Sequence, residues 1–172
     1  TKAAFLRTTL LGGLLENVVW NTNRGAEGVH IFEIGNVFHL DQESHNEHLM
    51  LSMVMTGSVG ERHWENKPKD DSFFHLKGTC EALMARLRYD AFTFQEKNHP
   101  HFQDGRSLVL LFKGEEIGWL GAIEQKILDA YLLKQDVCAA EINLSLLFEK
   151  QSHSFAYSAV AKYPNVIRDV SF

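Results

Sequence analysis

The sequence predicts an α+β fold built on a largely antiparallel sheet. Two helical stretches are each followed by several short strand-like stretches, and the connections between those strands look like hairpins. A parallel sheet would instead alternate strand and helix regularly along the chain. The 172 residues, 45% of them hydrophobic and 23% charged, are enough for a domain with a substantial core. We therefore expect residues 1–172 to form a single domain.

The first helix is predicted over Arg7–Arg24. Thr8 or Thr9 can cap its start, and Gly25 suits the left-handed residue that often follows a helix. Gly12-Gly13 weakens the first turn by about 1 kcal/mol per glycine relative to alanine, so packing against a neighbour must stabilise it. The apolar stripe at helical spacing consists of Leu11, Leu14, Leu15 and Val18.

The strands are predicted from apolar runs bounded by polar or glycine-containing stretches. Gly35 suggests a bulge or tight turn, His-rich Asp41–Glu47 a loop, and Lys113-Gly114-Glu115 a hairpin turn. Leu49–Thr56 is apolar at nearly every position, which is typical of a central strand covered on both faces. The predicted strands are Val29–Phe38, Leu49–Thr56, Ala91–Glu96, Ser107–Phe112, Glu116–Ile123 and Val137–Leu144.

Three further helical segments are predicted from periodicity and capping residues. A charged loop, Gly57–Asp71, precedes the first of them. They are Phe73–Tyr89, capped by Asp71 or Ser72; Glu124–Leu133; and a final turn through Glu149, capped by Asn143 or Ser145.

The charge balance argues against nucleic-acid binding by this chain alone. Its 22 acidic and 17 basic residues give a formal charge of −5, whereas such binding usually needs a basic excess to displace counterions from phosphate. A local basic face of Lys67, Lys69 and Lys77 could still touch a nucleic-acid backbone. No apolar run approaches the roughly 20 residues of a membrane-spanning helix, so no membrane partner is expected.

The two cysteines indicate a reducing compartment. Cys80 and Cys138 lie far apart among apolar or small neighbours, which favours reduced, buried thiols over a disulfide. Thr1–Leu15 lacks the features of a secretory leader, so we expect a cytoplasmic protein. The chain begins without methionine and stops on a strand-like stretch, Asn165–Phe172, and we expect it to be a piece of a larger polypeptide.

Nine histidines raise the possibility of a metal site. His45 with His48, or His99 with His101 and Asp104, have spacings that zinc could use. Both groups lie in polar stretches without a thiolate, and a structural zinc site normally needs four ligands. The sequence therefore favours solvated loop histidines and predicts no metal ligands.

Motifs for nucleophilic catalysis and phosphate binding are absent from the sequence. There is no Gly-x-Ser-x-Gly elbow, and neither cysteine has an activating neighbour. Gly118-Trp119-Leu120-Gly121 falls inside a strand pattern and lacks the Gly-Lys-Ser/Thr of a phosphate-binding loop.

Three charged residues have both a functional and a structural interpretation. Glu33 and Glu141 could be paired carboxylates in a sheet-lined cleft, but such residues more often bond backbone or a neighbouring arginine. Arg106 could bind phosphate but more often forms a structural ion pair. We expect no catalytic and no cofactor-binding residue.

Five separated segments lie in order along essentially the whole chain: Arg7–Asn17 continuing through Asn23-Arg24; Phe32–Phe38; Phe73–Gly78; Gly105–Ser107 with Ile117–Gly121; and Tyr163–Asp169. Together they resemble one family, the catalytic-like module in the β subunit of bacterial phenylalanyl-tRNA synthetase. One departure is Gly12-Gly13, where the family usually has Pro-Gly, and it leaves the helix start less rigid.

The resemblance implies a class II aminoacyl-tRNA synthetase-like core, an antiparallel sheet flanked by helices. It also implies an (αβ)₂ heterotetramer that joins phenylalanine to its tRNA using ATP, with ATP, its Mg²⁺ and phenylalanine held elsewhere in the holoenzyme. The partners would be the α subunit, other domains of the β subunit, and tRNA through the holoenzyme. Tyr163–Asp169 resembles the junction to a C-terminal ferredoxin-like anticodon-binding domain.

The sequence lacks the cations that a class II active site places at the ATP phosphates. Where a strand could carry the first arginine it has Phe32-Glu33-Ile34, and Arg168 does not follow a glycine-rich turn. Sites without positive donors cannot stabilise phosphoryl groups, so we expect a non-catalytic interface domain whose opening helix meets another subunit. Two alternatives remain: a remnant ATP- or amino-acid-binding cleft using Glu33, Glu141 and Arg106, and a tRNA-contacting module.

Overall fold

The computed structural model describes residues 6–41, 44–57 and 72–150. The helices are α1 (Leu11–Thr22), α2 (Ser72–Arg86), α3 (Gln125–Ala130) and α4 (Leu144–Glu149). The strands are β1 (Val29–Asp41), β2 (Ser44–Thr56), β3 (Phe92–Glu96), β4 (Phe102–Phe112), β5 (Glu115–Ile123) and β6 (Val137–Asn143).

The strands of the described ranges form one six-stranded sheet in the order β1-β2-β6-β5-β4-β3. Each neighbouring pair is antiparallel, which confirms the predicted α+β class. β2 lies inside the sheet, and Leu51–Val54 are all buried, as its apolar sequence predicted.

Helices cover both faces of the sheet. On one face α2 and α4 pack on a core that includes Met53, and on the other face α1 and α3 pack on a core that includes Val54. Because successive strand residues point to opposite faces, these two neighbours in β2 belong to different cores. The sheet is therefore the middle layer of three.

The apolar stripe of α1 is buried as predicted, and Gly25 takes a left-handed φ of +87° after the helix. The start of the helix is different. α1 begins at Leu11, whereas the sequence predicts Arg7, and Arg7–Leu10 therefore lie outside the helix. Their contacts, described below, explain this difference.

Two predictions about the first hairpin are wrong. Most of Asp41–Glu47 is not loop, because β1 continues to Asp41 and β2 begins at Ser44. The loop was predicted from the polar side chains of this stretch, but backbone pairing at an exposed hairpin end does not depend on apolar side chains. Gly35 makes no bulge, and β1 and β2 pair without a shift of register from Val29 to Asp41.

The turn between β4 and β5 is the predicted hairpin turn. Lys113 and Gly114 both have positive φ, +52° and +81°, as a type I′ turn requires. β4 begins earlier than predicted, at Phe102, with a register irregularity before Ser107. Asn143 is the predicted cap of α4, and its side chain accepts a hydrogen bond from the backbone N–H of Leu146 at 3.0 Å.

Two helices are shorter than predicted because a residue with positive φ follows each one. Arg88, at φ +61°, follows α2, and Leu132, at φ +58°, follows α3. Within the described ranges, no helix is long and apolar enough to cross a membrane.

Several predictions lie outside the described residues: the loop at 58–71 with Lys67, Lys69 and the Asp71 cap, the strand Asn165–Phe172, Arg168, and the junction Tyr163–Asp169 with the domain end at 172.

Candidate functional site

The two carboxylates singled out from the sequence lie in one row across the sheet. Glu33 pairs with Ser52, and Ser52 pairs with Glu141, so the three side chains point to the face that α1 covers. Side chains directly opposite on neighbouring strands have Cβ atoms about 5 Å apart. The structure therefore brings Glu33 and Glu141 together on either side of Ser52.

Glu33 is held by an arginine. The Arg7 guanidinium donates to Glu33 Oε1 at 2.5 Å and, through Nε, to the Asn36 carbonyl at 2.9 Å. A Cβ at Gly35 would overlap that guanidinium. Gly35 therefore leaves room for this position of the Arg7 guanidinium.

Glu141 caps the start of α1 from the middle of the sheet. Its Oε1 accepts the Thr9 hydroxyl at 2.7 Å and the Leu10 N–H at 3.1 Å, and Thr9 Oγ1 accepts the Leu11 N–H at 3.0 Å. Backbone N–H groups at a helix start need such acceptors, and negative charge there is favourable. These three hydrogen bonds stabilise the first turn of α1, which Gly12-Gly13 weakens.

Ser52 differs from its two neighbours in the row. Its side chain is fully buried, and its Oγ has no hydrogen-bond partner among the residues that the structure describes. A buried hydroxyl without a partner costs stability, because it has given up its bonds to water.

Arg106 forms a structural ion pair, which is the interpretation that the sequence favours over phosphate binding. Its Nη1 donates to Gln103 Oε1 at 2.9 Å and to Asp136 Oδ2 at 3.0 Å.

Gly118 and Gly121 lie in β5. A Cβ at Gly118 would overlap the backbone of β6, and a Cβ at Gly121 would overlap Phe102. These glycines permit close packing between strands.

The histidines do not assemble a metal site in the described part of the chain. His99 and His101 are neighbours, with ring centroids 5.0 Å apart, and Asp104 lines the same cavity of about 640 Å³. The ring of His48 lies beside that of His39, with ring centroids 6.1 Å apart.

Both cysteines are buried and outside any disulfide, as predicted. Burial raises the pKa of the Cys80 thiol to about 12, with the nearby Glu81 carboxylate acting in the same direction. A thiol with this pKa is almost entirely protonated at neutral pH and is a poor nucleophile.

A surface groove between α1 and the turn after α3 is the candidate functional site. We call it the α1–α3 groove, a cavity of about 570 Å³. Trp20 is 55% exposed, and the Arg24 guanidinium lies 3.5 Å from its ring centroid. The groove is lined by Gly13, Glu16, Asn17, Val19, Trp20, Asn23, Arg24, Ala130, Tyr131 and Leu132.

Leu132 is the most unusual residue of the α1–α3 groove. Its side chain is 87% exposed, and its backbone has the left-handed φ of +58° noted above. Glycine or asparagine normally occupies such a position, because a Cβ makes the left-handed region unfavourable by about 1–2 kcal/mol. This left-handed residue ends α3, because the Leu133 N–H then donates to the Leu128 carbonyl at 3.0 Å, and the turn leaves an apolar side chain in solvent.

The sequence does not predict this groove. Trp20 lies off the apolar stripe of α1, and that exposed position was a usable signal. No sequence signal marked Leu132, because a positive φ at leucine follows from how the chain turns after α3. The Glu141 cap was also missed, since its partners are 131 and 132 positions away.

The fold is that of an aminoacyl-tRNA synthetase core. The crystal structure of pyrrolysyl-tRNA synthetase from Desulfitobacterium hafniense superposes with a TM-score of 0.63, covering 83% of this chain and 48% of that one at 14% identity. A second structure of that protein gives a TM-score of 0.64. Synthetases of this type are class II, so the predicted fold class is confirmed.

Sequence relatives give a closer match. The chain is 31% identical over 167 residues to the phenylalanine–tRNA ligase beta subunit of Legionella pneumophila, covering 97% of this chain and 21% of that protein. It is 33% identical over 168 residues to that of Symbiobacterium thermophilum, covering 96% and 19%. The chain thus spans about a fifth of the length of these relatives.

A family model covers most of the chain. Residues 1–144 match the model of the phenylalanyl tRNA synthetase beta chain CLM domain. This match agrees with the family that the five sequence segments resemble. The chain belongs to the phenylalanyl-tRNA synthetase beta chain CLM domain family.

Proposed function

We propose that this chain is a non-catalytic structural and interface domain of a phenylalanyl-tRNA synthetase β subunit. It would support an (αβ)₂ enzyme, located in the cytoplasm, that attaches phenylalanine to its tRNA using ATP. The observation that carries the interface role is the α1–α3 groove, with the Arg24 guanidinium packed on the exposed Trp20 ring and an exposed Leu132 at positive φ in the turn after α3.

The contacts of the charged residues support the non-catalytic role. Transfer of an adenylyl or phosphoryl group needs positive donors aimed at the phosphates. Arg7 is bonded to Glu33, Arg106 to Asp136, and Arg24 lies on Trp20. The donor set on the α1 face does not fit ATP with Mg²⁺, so these ligands would bind elsewhere in the holoenzyme.

The first partner is the α subunit, meeting the chain at α1. Gly13 lies in the groove, and its missing side chain leaves room for a partner helix to approach closely. Other domains of the β subunit would surround the module, and tRNA would meet it only through the holoenzyme.

Mixing the chain with the phenylalanyl-tRNA synthetase α subunit, followed by size-exclusion chromatography, tests the interface. We expect co-elution, and we expect Trp20→Ala to weaken it by about 2 kcal/mol, roughly 30-fold in Kd, as for a central aromatic anchor. Phe74→Ala is the matched control, because Phe74 is 70% exposed on α2, which covers the opposite face.

Co-elution that is unchanged by Trp20→Ala would move the interface away from the α1–α3 groove. Absence of co-elution altogether would remove the interface function itself. Loss caused equally by Phe74→Ala would show that the effect is not specific to the groove.

Ligand measurements separate the two alternatives from this proposal. We expect no ATP–pyrophosphate exchange by the chain, and no heat in calorimetry with micromolar ATP or phenylalanine. Heat would support a remnant cleft at Glu33, Glu141 and Arg106. A band shift with tRNA at low salt would support a tRNA-contacting module; its described lysine, Lys77, is engaged with Glu81.

A further inference from the structure

The connection between β3 and β4 is held on the sheet by a histidine. Residues 97–101 have backbone anchors at both ends: Ser107 Oγ donates to the Lys97 carbonyl at 2.8 Å, and Glu124 N–H donates to the His101 carbonyl at 2.9 Å. Between these anchors, the His99 ring packs on Trp119 of β5 with centroids 4.3 Å apart. We call residues 97–101 the β3–β4 loop.

One hydrogen bond of His99 requires a neutral imidazole. Its Nδ1 accepts the backbone N–H of His101 at 3.3 Å. A protonated imidazole carries hydrogen on both nitrogens and cannot accept a hydrogen bond. Gaining a proton at Nδ1 therefore breaks this contact and turns two N–H groups toward each other.

The charged groups around His99 come from several elements. On its own loop the neighbours are Lys97 and His101, and on β5 Glu116 pairs with Lys97 at 2.9 Å. Burial lowers the pKa of His99, His101 and Lys97 lower it further, and Glu116 opposes them. Across the adjoining cavity lie Asp104, Glu124 and Lys126.

We propose that His99 is a pH-sensitive latch, which holds the β3–β4 loop against Trp119 while neutral and releases it when protonated. Residues 98–101 form one wall of the open surface cavity of about 640 Å³, so release of the loop would remove that wall. His101 also lines a smaller cavity beside Thr9 and Gly12, which places the moving loop next to the start of α1. This inference does not depend on the proposed interface function.

The direction of the pH effect follows from the lowered pKa. Because the folded loop favours the neutral form, the His99 contact is present in full above the pKa of the unfolded chain, about 6.5. It is lost as pH falls from there through the lower pKa of the folded state. The latch is closed at neutral pH and opens in mild acid.

Nuclear magnetic resonance of the 172-residue chain tests the latch directly. We expect the His99 Cε1 resonance to titrate with a midpoint below about 6.5, and the Trp119 indole resonance to shift with the same midpoint. Protection of the His101 amide from hydrogen exchange, corrected for intrinsic rate, should fall by up to about ten-fold per pH unit between about 6.5 and that midpoint, and should level off below it.

Two variants supply the controls. His99→Phe keeps a ring on Trp119 but has no group to titrate, and it should abolish the pH-dependent shift of Trp119. His101→Phe removes the neighbouring imidazole while keeping its backbone N–H, and the shift should remain. The proposal is overturned if His99 titrates at or above about 6.5, if Trp119 does not follow it, or if His99→Phe retains the transition. The titration of the unmodified chain decides the matter even if a variant does not fold.

Discussion

At the scale of single residues, the row Glu33–Ser52–Glu141 shows how far a sequence defines side-chain roles. The sequence identified both glutamates as strand residues in need of partners, and the structure gives them Arg7 and the start of α1. It could not identify those partners, because residue spacing does not reveal which strands become neighbours. The position of Ser52 between the two glutamates could not be predicted for the same reason.

The cost of burying Ser52 can be measured. Ser52→Ala removes a buried hydroxyl without a described partner, so we expect the free energy of unfolding to rise by about 1 kcal/mol in urea denaturation. Thr56→Val is the matched control on the same strand and face, because the Thr56 hydroxyl donates to the Asp136 carbonyl at 2.6 Å. That variant should lose about 1 kcal/mol, and a loss in both would mean that Ser52 has a partner.

At the scale of elements, periodicity predicted the helices and strands better than it predicted their ends. The apolar stripe of α1 and the positive-φ turn at Lys113-Gly114 are local properties, and both are present. The start of α1 depends on Glu141, and Gly35 lies against Arg7; both are contacts between residues far apart in the sequence. The α1–α3 groove could not be predicted because it depends on the turn after α3.

The turn after α3 offers a test that separates stability from partner binding. Leu132→Gly relieves a left-handed backbone at an exposed site, so we expect stability to rise by about 1 kcal/mol while binding of the α subunit weakens. Lys113→Gly is the control, because Lys113 has a similar φ of +52° in the β4–β5 turn, away from the groove. It should raise stability without changing binding. Equal binding by both variants would argue against Leu132 as a contact.

At the scale of the whole molecule, the arrangement of layers follows from the sequence and from family membership together. Hairpin-like connections predicted the antiparallel sheet, and the superposition on pyrrolysyl-tRNA synthetase shows the shared synthetase fold. Strand order is not encoded locally: β6 inserts between β2 and β5 because its small, apolar residues pack in both cores. Cys80 and Cys138 are also buried within this layered core.

Thiol reactivity should therefore report global unfolding. In the folded chain Cys80 is buried with a pKa of about 12, so we expect almost no alkylation by iodoacetamide at pH 8. In urea the labelled fraction should follow the unfolding curve measured by circular dichroism. Rapid labelling of Cys80 under native conditions would show local opening of α2 instead, and Cys80→Ala identifies which thiol reacts.

The tie between Leu10 and Glu141 also constrains the order of events during synthesis. Leu10, at the start of the first helix, precedes the capping carboxylate of Glu141 by 131 positions of chain. On the ribosome, which releases about 5–20 residues per second, the helix emerges several seconds before that carboxylate. The glycine-weakened first turn of α1 receives this cap only after β6 has been synthesised, so β6 closes back onto a helix that was made earlier.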